Sequence, residues 1–283
     1  MAESLGVLVG YDGSEGGERA LAWAADEAAA RRLPLTVSHV WQIVYPGFVM
    51  MPLDAVEKSA AELVEAAAEK ARAAHPGLDV RTKTVSGSPA FNIADQSRDA
   101  VLTVVGNVGM GAFRRALIGT VGSQVATHGS GAVTVVRGED SPGGPVVVGL
   151  DGSAVSGDVL RVALEEAKAR SARVLALCVF PPHAEVKDTP FVEETDLRDI
   201  SRERFEALVR DGVEAFPGVE VQTRFVDGDP VTELITASEG ARILVVGARR
   251  LGSLRKRLLG SASEGAVHHA LSPVTVVHPP EDD

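Results

Sequence analysis

Val7-Leu8-Val9-Gly10-Tyr11-Asp12-Gly13-Ser14 returns 139 residues later as Val146-Val147-Val148-Gly149-Leu150-Asp151-Gly152-Ser153. In each copy an aliphatic run leads into Gly-x-Asp-Gly-Ser, the pattern of a buried strand ending in a tight turn. Ser14 and Ser153 are placed to cap a following helix. The stripes Leu21, Ala24, Ala25, Ala28 and Leu160, Ala163, Leu164, Ala167 then give that helix one apolar face.

Working outward, further pairs recur at an offset of 141. They are Pro76-Gly77 with Pro217-Gly218, Gly87-Ser88-Pro89 with Gly228-Asp229-Pro230, and Val104-Val105-Gly106 with Val245-Val246-Gly247. Gly119-Thr120 pairs likewise with Gly260-Ser261, and Val133–Val136 with Val274–Val277. Pairs in one order at nearly constant spacing mark an internal duplication, with a two-residue insertion in the early part of the second half. The expected domains are residues 1–138 and 145–283, joined by a Gly/Pro/acid-rich linker at 139–144.

Within the first half the runs at 7–9, 35–40, 80–85, 101–105 and 133–136 read as strands, several apolar on both faces as in a parallel sheet. Helical periods fall between them, with longer second helices expected over Asp54–Ala74 and Asp196–Ala215. The order βαβαβαβαβ, twice over, selects the α/β class with two tandem doubly wound domains.

The 283 residues suffice for two domains, each able to bury its own core. One cysteine, Cys178, excludes an internal disulfide and points to a reducing compartment, expected to be cytoplasmic. No basic leader precedes an apolar stretch, and no run of 18 uncharged apolar residues occurs, so signal peptide and membrane span are unsupported. A net charge of −11 argues against general nucleic-acid binding. Any polyanion must therefore be met by a local basic site.

Two loops qualify. Open parallel sheets take ligands at the carboxyl ends of strands where strand order reverses, which directs attention to the loops after strands one and four. The first carries Asp12 or Asp151. The second carries, in the first half, Gly106-x2-Gly109-x9-Gly119-Thr120. Gly106 and Gly109 are expected to take positive φ and let backbone approach a ligand, while Gly119-Thr120 opens a helix whose free amides and dipole attract phosphate. Residues 106–123 hold Arg114 and Arg115, and residues 247–263 hold Arg249, Arg250, Arg255, Lys256 and Arg257, neither stretch with an acid. In an acidic chain these are local basic islands.

This glycine series, with Asp12 in Val-Gly-Tyr-Asp-Gly-Ser, resembles the nucleotide-binding signature of the universal stress protein family in its ATP-binding branch, and the duplicated layout resembles the tandem members. The resemblance covers nearly the whole chain. It implies a five-stranded parallel sheet per domain in the order 3-2-1-4-5, with ATP between strands one and four, and a role in stress response or growth control. The site it implies comprises Gly10, Asp12, Val40, Gly106, Asn107, Gly109, Gly111, Arg115, Gly119, Thr120 and Val121 in the first half. In the second half it comprises Gly149, Asp151, Val179, Gly247, Arg249, Arg250, Gly252, Gly260, Ser261 and Ala262. Asp12 and Val40, or Asp151 and Val179, belong to the adenosine end, and the glycine loops to the triphosphate with its Mg²⁺. One departure stands out: the position matching Gly109 is Arg250, whose side chain either crowds the loop or substitutes a charge contact for a backbone one.

Other chemistries fit less well. Gly-x4-Gly-Lys-Ser/Thr is absent, which excludes a P-loop NTPase, and Gly106-x2-Gly109-x-Gly111 is not the dinucleotide pattern. His268-His269 are adjacent on a predicted helix and point apart, so they read as structural rather than metal-binding, as do His39 and His128. No base is positioned for Ser14 or Ser153 to act as a nucleophile, and no catalytic residue is assigned. The competing readings are a slow ATPase, with Asp12 near Mg²⁺, and a scaffold that binds no nucleotide, its last strands Val133–Val136 and Val274–Val277 pairing either between chains as a homodimer or between the two halves as an intramolecular pseudo-dimer. The segments Gln42–Asp54 and Pro181–Thr195 differ most between the halves.

Overall fold

The computed structural model describes residues 4–42, 53–109, 119–182, 194–250 and 257–280. The chain divides into two compact units, one reaching to Arg137 and the other spanning Gly138–Pro279. The first unit runs β1 (Gly6–Gly10), α1 (Glu15–Arg31), β2 (Leu35–Trp41), α2 (Leu53–Ala74), β3 (Val80–Ser86), α3 (Pro89–Gln96), β4 (Ala100–Gly106), α4 (Thr120–His128) and β5 (Ala132–Val136). The second runs β6 (Val146–Gly149), α5 (Ser156–Arg170), β7 (Val174–Phe180), α6 (Glu194–Val213), β8 (Val221–Asp227), α7 (Pro230–Ala237) and β9 (Ile243–Gly247). It closes with β10 (Arg249–Arg250), β11 (Arg257–Leu258), α8 (Ser261–His269) and β12 (Val274–Val277).

Strand order in the first unit is β3-β2-β1-β4-β5, and in the second β8-β7-β6-β9-β12. All neighbours within these two strand orders are parallel. The α/β, doubly wound reading of the sequence holds, and the order in each unit is 3-2-1-4-5. Strands β1 and β5 are buried along nearly their whole length, and β4 over Leu102–Val105, as a sheet covered on both faces requires. The outer strand β3 alternates instead, because only one face packs against helix.

Helix α1 buries Leu21, Ala24, Ala25 and Ala28, and α5 buries Leu160, Ala163, Leu164 and Ala167, the stripes read from the sequence. Each fully buried leucine is worth about 2 kcal/mol over its exposed state. Both helices also carry a buried acid that the sequence reading passed over. Glu27 pairs with Arg31 one turn on, and Glu166 lies 3.7 Å from Arg170 and 3.9 Å from Arg242. Arg242 in turn donates to the Pro142 carbonyl at 2.7 Å, tying the start of the second unit to its β9 region.

The offset between halves is 139 through β2 and β7, since Val7 pairs with Leu35 and Val146 with Val174. It becomes 141 from β3 and β8 onward, where Leu35 pairs with Val80 and Val174 with Val221. The two-residue insertion therefore falls between β7 and β8. Ser153 is corrected: it does not cap α5. The helix begins two positions later, at Ser156 with Val155 as its N-cap, because Val155 and Ser156 stand where the first half has Gly16 and Gly17.

Candidate functional site

In the first unit β2 and β3 lie on one side of β1, and β4 and β5 on the other. The order reverses between β1 and β4, so the turn after β1 and the loop after β4 meet at the carboxyl edge of the sheet. Asp12 sits in the first and Asn107–Gly109 in the second. Tyr11 continues the ladder by donating its N–H to the Ser38 carbonyl at 2.8 Å, and the Tyr11 carbonyl accepts from Nδ1 of His39 at 2.7 Å. The backbone entering Asp12 is thereby fixed on both sides, and the structural role expected of His39 is this bond. His128 closes the opposite end of α4.

Asp12 is half-buried, and its Oδ1 accepts from the Ser14 backbone N–H at 3.0 Å and from the Ser14 hydroxyl at 2.5 Å. Ser14 also caps α1, accepting the Gly17 N–H at 3.0 Å, and its hydroxyl lies 3.2 Å from the Val108 carbonyl. Two glycines make room for this carboxylate. A Cβ on Gly17 would stand 2.7 Å from Oδ1, and one on Gly109 would stand 2.9 Å from Oδ2.

The positive φ expected at Gly106 and Gly109 is corrected, since neither is among the positive-φ glycines. Close approach explains Gly106 instead. A Cβ there would meet the Gly16 carbonyl oxygen at 2.5 Å, and one on Gly16 would meet the Val108 oxygen at 2.1 Å. The first turn of α1 thus lies backbone to backbone against the end of β4. Reading the sequence missed Gly16-Gly17, although two glycines in a helix's first turn, each costing about 1 kcal/mol relative to alanine, are themselves a signal.

Helix α4 starts at Thr120 with Gly119 as its N-cap, and no side chain caps it. The Gly119 N–H donates to the Asn107 carbonyl at 2.5 Å, folding the helix N-terminus back onto the β4 loop. The amides and dipole of a nine-residue helix therefore open beside that loop, an arrangement suited to an anionic group. Thr120 and Val121 are exposed at this end, Gly10 closes β1, and Val40 is buried near the end of β2. Gly111 and Arg115 lie outside the described residues.

The second unit is built differently at the matching places. Asp151 is exposed, and its Oδ1 accepts from the Ser153 N–H at 3.0 Å and from the Ser156 hydroxyl at 3.2 Å. Leu150 and Cys178 replace Tyr11 and His39. A Cβ on Gly247 would meet side-chain atoms of Val155 at 2.9 Å and Val159 at 3.0 Å. Arg249 and Arg250 form β10, paired antiparallel with Leu258 and Arg257 of β11. Gly260 caps α8 without a side-chain bond, Ser261 and Ala262 open it, and the Ser263 hydroxyl donates to the Gly247 carbonyl at 2.7 Å. Gly149 ends β6, Val179 lies in β7, and Gly252 is outside the described residues.

Beside the first site Glu18 accepts from the Tyr11 hydroxyl and from Lys70 Nζ, both at 2.5 Å. Burial raises the Glu18 pKa, but the bonds from Lys70 and Tyr11 outweigh it and leave it below the usual range. Burial first, then the Glu18 bond and charge, raises that of Tyr11. Among the described residues no group of three or more His, Cys, Asp or Glu could hold a metal ion, and no helix is long and apolar enough to cross a membrane.

Fold and site geometry define a tandem α/β protein with two doubly wound domains and, in the first, a strand-one aspartate packed on a glycine loop at the switch point. The chain belongs to the universal stress protein family, whose profile matches residues 6–137 and 144–278. It is 32% identical over 293 residues to a universal stress protein of Mycolicibacterium smegmatis, covering 98% of each chain. It is 31% identical over 284 residues to one from Mycobacterium tuberculosis, covering 96% of each. A universal stress protein from Archaeoglobus fulgidus shares the fold at a TM-score of 0.73 and 22% identity, covering 98% of this chain and 99% of that one.

Proposed function

We propose that the protein binds ATP and acts as a nucleotide-dependent regulator of stress response or growth state rather than as an enzyme. The observation that carries this reading is the uncapped N-terminus of α4, folded through Gly119 onto the β4 loop where Gly109 abuts Asp12. Triphosphate is assigned to the α4 amides and the Thr120 hydroxyl, with Arg115 of the same glycine loop assigned from the sequence alone, and adenosine to Asp12 and Val40. Mg²⁺ travels on the triphosphate. The first domain is the principal site, because Asp12 is held there against Gly17 and Gly109, which the second domain replaces with Ser156 and Arg250. The protein is assigned to the cytoplasm, and self-association to the strands Val133–Val136 and Val274–Val277 in a homodimer.

The test is the nucleotide content of the protein as purified, followed by calorimetric titration of nucleotide-free protein with MgATP. A Cβ on Gly119 would lie 3.4 Å from the Asn107 oxygen and 3.5 Å from the Gly109 nitrogen, ordinary contacts, so Gly119→Ala folds normally. Gly119→Leu covers the helix amides and is expected to abolish binding in the first domain. Unchanged ATP affinity in Gly119→Leu overturns the phosphate assignment. Turnover well above about 1 s⁻¹ overturns the non-enzymatic reading.

A further inference from the structure

The outer edge of β3 is open. On its inner side the Leu35 N–H donates to the Asp79 carbonyl at 2.8 Å and the Gly87 N–H to the Trp41 carbonyl at 2.9 Å. Backbone groups alternate sides along a strand, so the odd-numbered residues bond β2. Val80, Thr82, Thr84 and Ser86 turn theirs outward, where no described strand pairs with them. Arg72 covers the Val80 carbonyl at 2.9 Å. The backbone groups of Thr82 and Thr84 stay uncovered, and both residues are exposed.

Beside them lies a cavity of about 390 Å³ between β3 and α2, lined by Thr82, Thr84, Ala61 and Val64 together with Glu62 and Glu65. The two acids are paired, Glu62 with Lys58 at 3.8 Å and Glu65 with Arg72 at 2.7 Å. Lys83 also borders the cavity, but it shares a row with Ser38, whose hydroxyl bonds Gln96 of α3, so its side chain belongs to the opposite face. The groove therefore suits an uncharged side chain. The second domain shows what fills this space. At the offset of 141, Thr84 matches Phe225, Ala61 matches Arg202 and Val64 matches Phe205. Burial supports the alignment, since buried Phe205 and Val209 fall on buried Val64 and Ala68. There the Phe225 ring stands 6.3 Å from that of Phe205, with the Arg198 and Arg202 guanidiniums 5.4 Å and 4.8 Å from its centre. The first domain has a smaller side chain at all three positions, and a groove where the ring would be.

We propose that the β3 edge of the first domain is a docking site for an extended segment of a partner protein, which pairs as an added strand with the backbone of Thr82 and Thr84 and seats an aromatic side chain between α2 and β3. In strand addition main-chain bonds supply affinity, and a pocket for alternate side chains supplies specificity. A second copy of the chain suits the edge less well, because Arg81 and Lys83 would lie beside the same residues of another β3 or beside Arg224 of β8. The docking site is independent of nucleotide binding.

The probe is a blocked heptapeptide, threonine-valine-threonine-phenylalanine-threonine-valine-threonine, titrated into the full chain while amide hydrogen exchange is followed by NMR. A twin peptide with glutamate at the centre is the control. The phenylalanine peptide is expected to slow exchange at the Thr82 and Thr84 amides at least tenfold, and the glutamate twin to leave it unchanged. Thr84→Phe supplies the ring from the chain itself and fills the groove, and Thr82→Pro removes one outward N–H without touching the ladder to β2. Each is expected to weaken the peptide at least tenfold in fluorescence anisotropy, with circular dichroism confirming the fold. No slowing at millimolar peptide, equal slowing by the glutamate twin, or unchanged affinity in folded Thr84→Phe overturns the proposal. Protection of both amides without peptide also overturns it: protection that grows with protein concentration makes a second copy the occupant, and protection that does not makes the chain its own cover.

Discussion

A Cβ on Gly109 would stand 2.9 Å from Oδ2 of Asp12. The glycine loop and the strand-one aspartate therefore share one contact, and the glycine is needed for the carboxylate rather than for an unusual backbone angle. Gly109→Ala displaces the Asp12 carboxylate, the far end of a side chain, and leaves the backbone in place. ATP affinity is expected to fall about tenfold, the equivalent of 1.4 kcal/mol, with stability changed by less than about 1 kcal/mol. Calorimetry and urea denaturation check the two halves of this expectation, and unchanged affinity would remove Asp12 from the site.

Gly16 and Gly106 face backbone atoms, which cannot rotate away. Gly16→Ala and Gly106→Ala are expected to destabilise the first domain by about 2 kcal/mol or more, as overpacking does. Gly157 is the control, exposed in the first turn of α5 with nothing within 4 Å of its would-be Cβ. Gly157→Ala is expected to stabilise by up to about 1 kcal/mol. Denaturation followed by probes of each domain tests this, because a two-domain chain need not unfold in one step.

Cys178 is buried in β7, and burial, with a smaller contribution from Asp151, pushes its thiol up to about 11. Attack on a disulfide requires the thiolate. Native protein at pH 8 is therefore expected to react with an aromatic disulfide reagent at least tenfold more slowly than protein in denaturant, since the unfolded thiol titrates near about 8.5. The raised value also means that stability is full below the unfolded pKa and is lost as pH rises through the folded one. Cys178→Ala is expected to flatten that alkaline decline, measured by denaturation between pH 8 and pH 11.

Within the Tyr11, Glu18 and Lys70 cluster, Glu18 sets the opposite dependence. The Glu18 pKa is depressed in the fold, so its contribution is present above the unfolded glutamate value of about 4.3 and is lost as pH falls through the folded one. Lys70 and Glu18 are both more than a third exposed, so the pair is worth less than about 1 kcal/mol. Lys70→Met is expected to lower stability by that small amount at pH 7 and to converge on the unaltered chain at low pH. A constant difference across the titration would assign the effect to packing of the lysine stem.

Much of the architecture was legible because it depends on local pattern. Strands apolar on both faces, helices with a single stripe such as Leu21 to Ala28, and a repeated Gly-x-Asp-Gly-Ser turn each report their own burial. The burial of Glu27 beside Arg31 was not legible in this way, since charges four apart on a helix usually mark a solvated face.

By itself the sequence determined the duplication, the tandem α/β class, the place of the loops after strands one and four, and the helix opened by Gly119-Thr120. All follow from periodicity and from residue types whose backbone preferences act over a few positions. Only the tertiary structure decided why the glycines are there: Gly106 for the backbone of Gly16, and Gly109 and Gly17 for the carboxylate of Asp12. It also separated two halves that look alike in their first eight residues, because Val155 and Ser156 shorten α5 and change which hydroxyl reaches the aspartate. The contacts of Gly106 with Gly16 and of Gly109 with Asp12 join segments about ninety residues apart, and the steric demand made across that distance leaves no periodic trace in the chain.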